Sequence, residues 1–147
     1  MTTDDRPLNT VDALVQLSFL TQRVLAATGA EHELSVIQIR LLGILRDRPA
    51  AGMLDIGTHL GLDKSSMTGL VSRAEKRGLV LRTPSPHDGR AVLVSLTPVG
   101  RELTTRCTAE ISHRITGLTE RLTAAQRTQL TELATTLVRP GGDALIA

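Results

Sequence analysis

The chain has 147 residues, with 17 Lys and Arg against 15 Asp and Glu, a formal charge of +2, one Phe and no Trp or Tyr. That length suits one domain, spanning 1–147, whose core must be built from Leu, Val, Ile and Ala. A single cysteine excludes an intramolecular disulfide framework, no apolar run is long enough to cross a bilayer, and Met1–Pro7 is too polar for a secretory core, so a cytoplasmic protein is expected.

Residues 1–8 read as an arm. A helix is expected over 9–27, with Val11, Leu14, Val15 and Ser18 on one side. Leu17, Leu20, Val24 and Leu25 widen that apolar surface beyond one stripe, which calls for more than one packing partner. Thr28-Gly29-Ala30 reads as the end of this helix. Ser35-Val36-Ile37-Gln38 fits a capping box and opens a buried central helix carrying Ile37, Leu41, Leu42, Ile44 and Leu45. Pro49 stops it, and 49–52 reads as a loop.

Met53 to Leu60 forms a short helix closed by Gly61, with Ile56 and Leu60 facing the core. Asp63 then caps a second helix running from Lys64 to Arg77, which Gly78 ends. Met67, Leu70, Val71 and Ala74 share its inner face at a period near 3.6. The outer face holds Ser65, Gly69, Ser72 and Lys76, flanked by Ser66, Thr68 and Arg73: small at the start, basic at the end. Short hydroxyls and accessible backbone N–H groups suit close approach to bases and phosphates in a major groove, although a solvated packing helix has a similar face.

Leu79 to Thr83 and Ala91 to Leu96 read as two short strands around the turn Pro84-Ser85-Pro86-His87-Asp88-Gly89-Arg90. An arginine at the tip of such a wing can enter a narrow minor groove, and Asp88 stands where it can hold the Arg90 guanidinium. Residues 64–101 carry seven basic and two acidic side chains, +5, which leaves −3 on the rest of the chain. Positive charge is thus gathered on the proposed reading head rather than spread over the protein.

Thr97-Pro98 starts the next helix, Thr as N-cap and Pro in the first turn. Val99, Leu103, Cys107, Ile111 and Ile115 follow at intervals of four, continued by Leu118 and Leu122. Thr123-Ala124-Ala125-Gln126 is a second capping box, opening a last helix striped with Leu130, Leu133, Ala134 and Leu137. Pro140-Gly141-Gly142 stops it, leaving a tail.

The run from Leu54 to Val80 resembles the winged helix-turn-helix of the MarR family of bacterial transcription regulators. Asp88-Gly89-Arg90 followed by Val94-Ser95-Leu96-Thr97-Pro98-Val99-Gly100 is similar to that family's wing signature. The resemblance implies a mainly α fold with a small β wing. It implies dimerisation helices at 9–27 and 101–138, interlocking around a two-fold axis, and a DNA-binding lobe at 35–100. Gly57 would be the small residue packed against the second helix. Gly69 and Ala74 depart from the larger residues common there.

The function implied is sequence-specific binding of double-stranded DNA at a pseudo-palindromic operator, as a homodimeric repressor relieved by a small aromatic acid or phenol. Lys64, Ser65, Ser66, Thr68, Gly69, Ser72, Arg73, Lys76, Asp88 and Arg90 would form the DNA surface. Phe19, Arg23, His32, His59 and His113 are candidates for an effector site. The rival reading is a winged helix that binds protein instead of DNA, for which charge gathered on helix and wing has no purpose.

Cys107 lies on an apolar stripe and reads as a packing residue. The four His and one Cys show no metal-ligand spacing, there is no phosphate-cradling glycine loop, and no nucleophile–base pair announces itself, so neither a metal, a cofactor nor an enzyme activity is expected.

Overall fold

The computed structural model describes residues 6–139. In chain order the elements are α1 (Thr10–Glu31), α2 (Val36–Asp47), β1 (Ala51–Gly52), α3 (Met53–Leu60), α4 (Lys64–Lys76), β2 (Val80–Pro84), β3 (Val92–Leu96), α5 (Pro98–Thr119) and α6 (Ala124–Val138). Helices dominate, and the one sheet is a small antiparallel wing, as the resemblance implies. The contacts divide the chain into two compact units, the first ending at Ser112 and the second beginning at His113.

In the first unit, Leu41, Leu42 and Leu45 of α2, Ile56 of α3, Met67, Leu70 and Val71 of α4, and Val80 and Val94 of the wing form one core. Ser35 caps α2 with the reciprocal Gln38 contact, at 3.2 and 2.8 Å. Gly61 ends α3 at φ 67°, a left-handed conformation that side chains with a Cβ rarely adopt. The turn is closed by the Leu62 N–H donating to the Gly57 carbonyl at 2.9 Å. A Cβ on Gly57 would stand 3.1 Å from Met67 Cγ, so the small residue does let α3 sit close on α4.

α1 runs past the expected stop at Thr28-Gly29-Ala30 to Glu31. Gly29 is not a terminator: a Cβ there would meet the Leu34 carbonyl oxygen, and the returning chain docks on it through Leu34 N–H to Gly29 O, 2.8 Å. The reversal is made instead by Glu33, at φ 55°.

The segment expected as a loop at 49–52 contains β1, paired antiparallel with β3 (Ala51↔Val94, Gly52↔Leu93). The sheet order is β1-β3-β2, with β2 and β3 in register from Val80↔Leu96 to Pro84↔Val92. Pro84 ends β2 at the sheet edge, where its missing N–H costs no ladder bond.

α5 is anchored at its N-terminus. Thr97 Oγ1 accepts from Gly100 N–H at 2.9 Å and donates to the Gly78 carbonyl, while Thr97 N–H donates to Leu79 O at 3.0 Å. The helix backbone presses so closely that a Cβ on Gly100 would collide with the Leu79 carbonyl. Leu103 and Cys107 are buried as expected, but Val99 is 62% exposed, because the stripe turns inward only after the first turn.

In the second unit, Thr123 and Gln126 form the expected capping box on α6. No residue of α6 is buried, and Leu133 and Leu137 are 60% and 61% exposed. The Pro140-Gly141-Gly142 stop and the first residues of the arm lie outside the described residues. No helix among the described residues is long and apolar enough to cross a membrane.

Two outcomes test this framework. Gly100→Ala should lower stability by about 1–3 kcal/mol, an overpacking cost against backbone that cannot swing aside, measured by urea denaturation. Asp63 caps α4, and its hydrogen bond from Ser66 N–H holds its carboxyl below the usual carboxylate range. A depressed folded-state pKa contributes stability above the unfolded value, near 3.9, that is lost as pH falls through the folded one. Asp63→Ala should therefore lower Tm at pH 7, and the deficit should shrink below about pH 4 as the wild type loses the same contribution.

Candidate nucleic-acid interface

The α3–turn–α4 unit presents one exposed face, whose start is built by Asp63. Its Oδ1 accepts from Ser66 N–H at 2.7 Å and Ser65 Oγ at 3.0 Å. The Thr68 hydroxyl donates back to the Lys64 carbonyl at 2.9 Å. Lys64, Ser65, Ser66, Thr68, Arg73 and Lys76 are exposed, and Gly69 and Ser72 half-buried. Met67, Leu70, Val71 and Ala74 face the core, as their period requires.

Gly69 is covered from an unexpected direction. The Arg73 guanidinium folds back over it, its Nη1 3.1 Å from where a Cβ would stand. The space that a larger residue would fill is thus taken by the flexible end of a cation, next to a shallow depression lined by Ser65, Ser66 and Ile37.

Two other cations near the face are committed to the fold. Arg77 donates to the carbonyls of Glu33 (2.7 Å) and His32 (3.0 Å), clamping the end of α4 to the α1–α2 corner. Arg82 on β2 pairs with Glu75 on α4 at 3.1 Å, and this hydrogen bonding lowers the Glu75 carboxyl below its ordinary range. The Arg82–Glu75 pair offsets its own charge and Arg77 is held on backbone carbonyls, so of the seven basic residues Lys64, Arg73, Lys76, Arg90 and Arg101 are left facing outward. The sequence carried one signal of the pair: opposite charges on either side of the Gly78 turn, where helix and strand double back.

The wing tip departs from expectation in one respect. Asp88 does not hold the Arg90 guanidinium. Its Oδ1 accepts from the Arg90 backbone N–H at 3.0 Å. A carboxylate two residues before an N–H closes an Asx turn without reaching further, so Asp88 shapes the loop and leaves the Arg90 side chain exposed. Between wing and helix lies a groove of about 700 Å³, lined by Lys64, Thr68, Arg82 and Arg90 on an apolar floor that includes Met53 and Leu62.

The five effector candidates are scattered. Phe19, Arg23, His59 and His113 are exposed, and His32 is half-buried against Glu110. None of them lines the groove or a smaller cavity of about 260 Å³ between α2 and α5, which Leu42, Arg46, Cys107 and Ile111 border. Burial pushes the Cys107 thiol up, away from the thiolate that redox chemistry requires.

Residues 34–92 match the family model described as MarR family. The homoprotocatechuate degradative operon repressor of Escherichia coli is 32% identical over 102 residues, 69% of this chain and 69% of that protein. The HTH-type transcriptional repressor IacR of Pseudomonas putida is 37% identical over 92 residues, 60% of this chain and 55% of that protein. Among solved structures, the transcriptional repressor CouR bound to a 23-mer DNA duplex superposes with a TM-score of 0.79 at 27% identity, covering 89% of this chain and 93% of that one. Wild-type MarR from E. coli shares the fold, with a TM-score of 0.77 at 22% identity over 90% of this chain and 99% of that one. The chain belongs to the MarR family of transcriptional regulators, which are DNA-binding proteins rather than enzymes.

Proposed function

We propose that the protein is a homodimeric repressor that occupies a pseudo-palindromic operator and is released by a small aromatic acid or phenol. The observation that carries the DNA reading is the pairing of the exposed α4 face with Arg90 across the wing groove. In this arrangement two copies of α4 enter successive major grooves, with Ser65, Ser66, Thr68, Ser72 and the Gly69 backbone nearest bases or phosphates. Arg73 and Lys76 take phosphates or bases, Lys64 a phosphate, and Arg90 the adjacent minor groove. Asp88 acts at one remove, by shaping the turn that presents Arg90. The solved complex of CouR with a DNA duplex supports DNA as the partner.

The dimer rests on unpartnered apolar surface, with 9–27 and 101–138 as the pairing segments and 35–100 as the reading lobe. On α1, Val11 is 69% and Phe19 64% exposed, and Leu14, Val15 and Leu17 are also exposed. On α6, Leu130, Leu133, Leu137 and Val138 are exposed. Leaving so many large apolar side chains in water is costly, at roughly 25 cal/mol per Å² of surface, and a second copy of the chain is the partner that covers them symmetrically.

Support for the effector class comes from relatives. One is the repressor of a homoprotocatechuate degradative operon, and a fold neighbour, CouR from Rhodococcus jostii RHA1, has been solved with p-coumaroyl-CoA. An aromatic acid bound between dimer helices and reading lobe would shift the separation of the two α4 helices, and the ligand and DNA would weaken each other's binding by the same factor. Phe19, Arg23, His32, His59 and His113 remain the residues to screen.

Arg90→Ala should weaken operator binding on the order of tenfold or more, since a specific contact is worth about 1–3 kcal/mol, with helix content and dimer mass unchanged. Fluorescence anisotropy on promoter DNA at physiological salt reads the first, and sedimentation the second. Equal binding by variant and wild type would remove the wing from the mechanism. Asp88→Ala should act in the same direction but less.

A further inference from the structure

His32, the C-cap of α1, and Glu110 on α5 meet across 78 positions of sequence. The His32 Nε2 stands 3.0 Å from Oε1 and 3.2 Å from Oε2 of Glu110. Glu31, the last residue of α1, brings a carboxylate to the same place, so that one donor atom from each of the three lies within 4.8 Å of the others. His32 and Glu110 are half-buried and Glu31 is exposed.

We propose that Glu31, His32 and Glu110 bind a divalent transition-metal ion of the zinc type. One imidazole nitrogen and two carboxylates form a borderline donor set, which suits zinc better than the all-oxygen shells of calcium or magnesium. Bonds of about 2.0–2.2 Å in a tetrahedral site put donors about 3.3–3.5 Å apart. The His32–Glu110 separations are already close to that, and the Glu31 carboxylate stands within 4.8 Å of both. A water would complete the shell. The spacing of His and Cys along the sequence gave no such cluster, because two helix segments supply the ligands and two of the three are glutamates.

The site has a mechanical neighbour. Arg77, at the end of α4, grips the same corner through the carbonyls of His32 and Glu33. An ion that ties this corner to α5 therefore bears on the C-terminal end of the exposed helix through two hydrogen bonds. That is an input separate from any aromatic ligand.

The test is competition for zinc between the full-length, chelator-stripped protein and a chromophoric chelator, with circular dichroism as the control for folding. The wild type should take up one equivalent per chain. His32→Ala and Glu110→Gln should each raise Kd on the order of tenfold or more. Glu110→Gln keeps the size of the side chain and a hydrogen bond to His32, so its loss of zinc would not reflect a lost fold. His87→Ala, on the wing, should match the wild type. No uptake by the wild type, or uptake that neither ligand substitution weakens, overturns the site. DNA is absent from the experiment, so its outcome stands apart from the repressor reading.

Discussion

The meeting of four chain segments at Gly78–Leu79 and Thr97–Gly100 sets the geometry of the reading head. The end of α4, the start of β2, the end of β3 and the start of α5 all converge there. Thr97 spends its backbone N–H and its hydroxyl on the carbonyls of Leu79 and Gly78, and the missing side chain of Gly100 lets the α5 backbone press against the same turn. Wing and helix are thereby locked to the frame at one point. A groove between two elements keeps a defined width only if both are fixed to something common, and this junction is what they share.

Electrostatics around the groove are sorted by the fold. The region holds a large positive excess by residue type, yet Arg82 is neutralised by Glu75 and Arg77 is held on the carbonyls of His32 and Glu33. What remains outward is a smaller set, spread between helix and wing tip. Cations held by exposed ion pairs add little long-range attraction, whereas those facing solvent beside a concave surface act where field lines concentrate. The arrangement therefore favours orientation over bulk attraction, in keeping with the modest charge of the whole chain.

Elements whose signals are local were legible in the sequence. Asp63 as N-cap, the two capping boxes, Gly61 and the buried stripe of α4 depend on residues a few positions apart, and each stands as read. What was hidden depends on distant partners. β1 is only Ala51-Gly52, with no strand propensity of its own; β3 makes it a strand by pairing with it. Gly29 looked like a helix stop, since the folded-back Leu34 carbonyl that requires it cannot be seen locally. Asp88 was assigned to a side chain when a backbone N–H lay nearer. The outer face of α4 is legible as a face, but the hold of Arg77 on the α1–α2 corner and the Glu75–Arg82 pair need the third dimension.

The resting place of Arg73 over Gly69 bears on how such a regulator diversifies. A long cation parked on a residue without a side chain can leave for another partner by rotating its own torsions, with no shift of the backbone. Position 69 then acts as a shim under Arg73. Adding even a methyl group makes the guanidinium give by a few tenths of an ångström, although the shim itself need touch nothing. Editing a silent position thus moves the cation while Arg73 and the core beneath it stay intact.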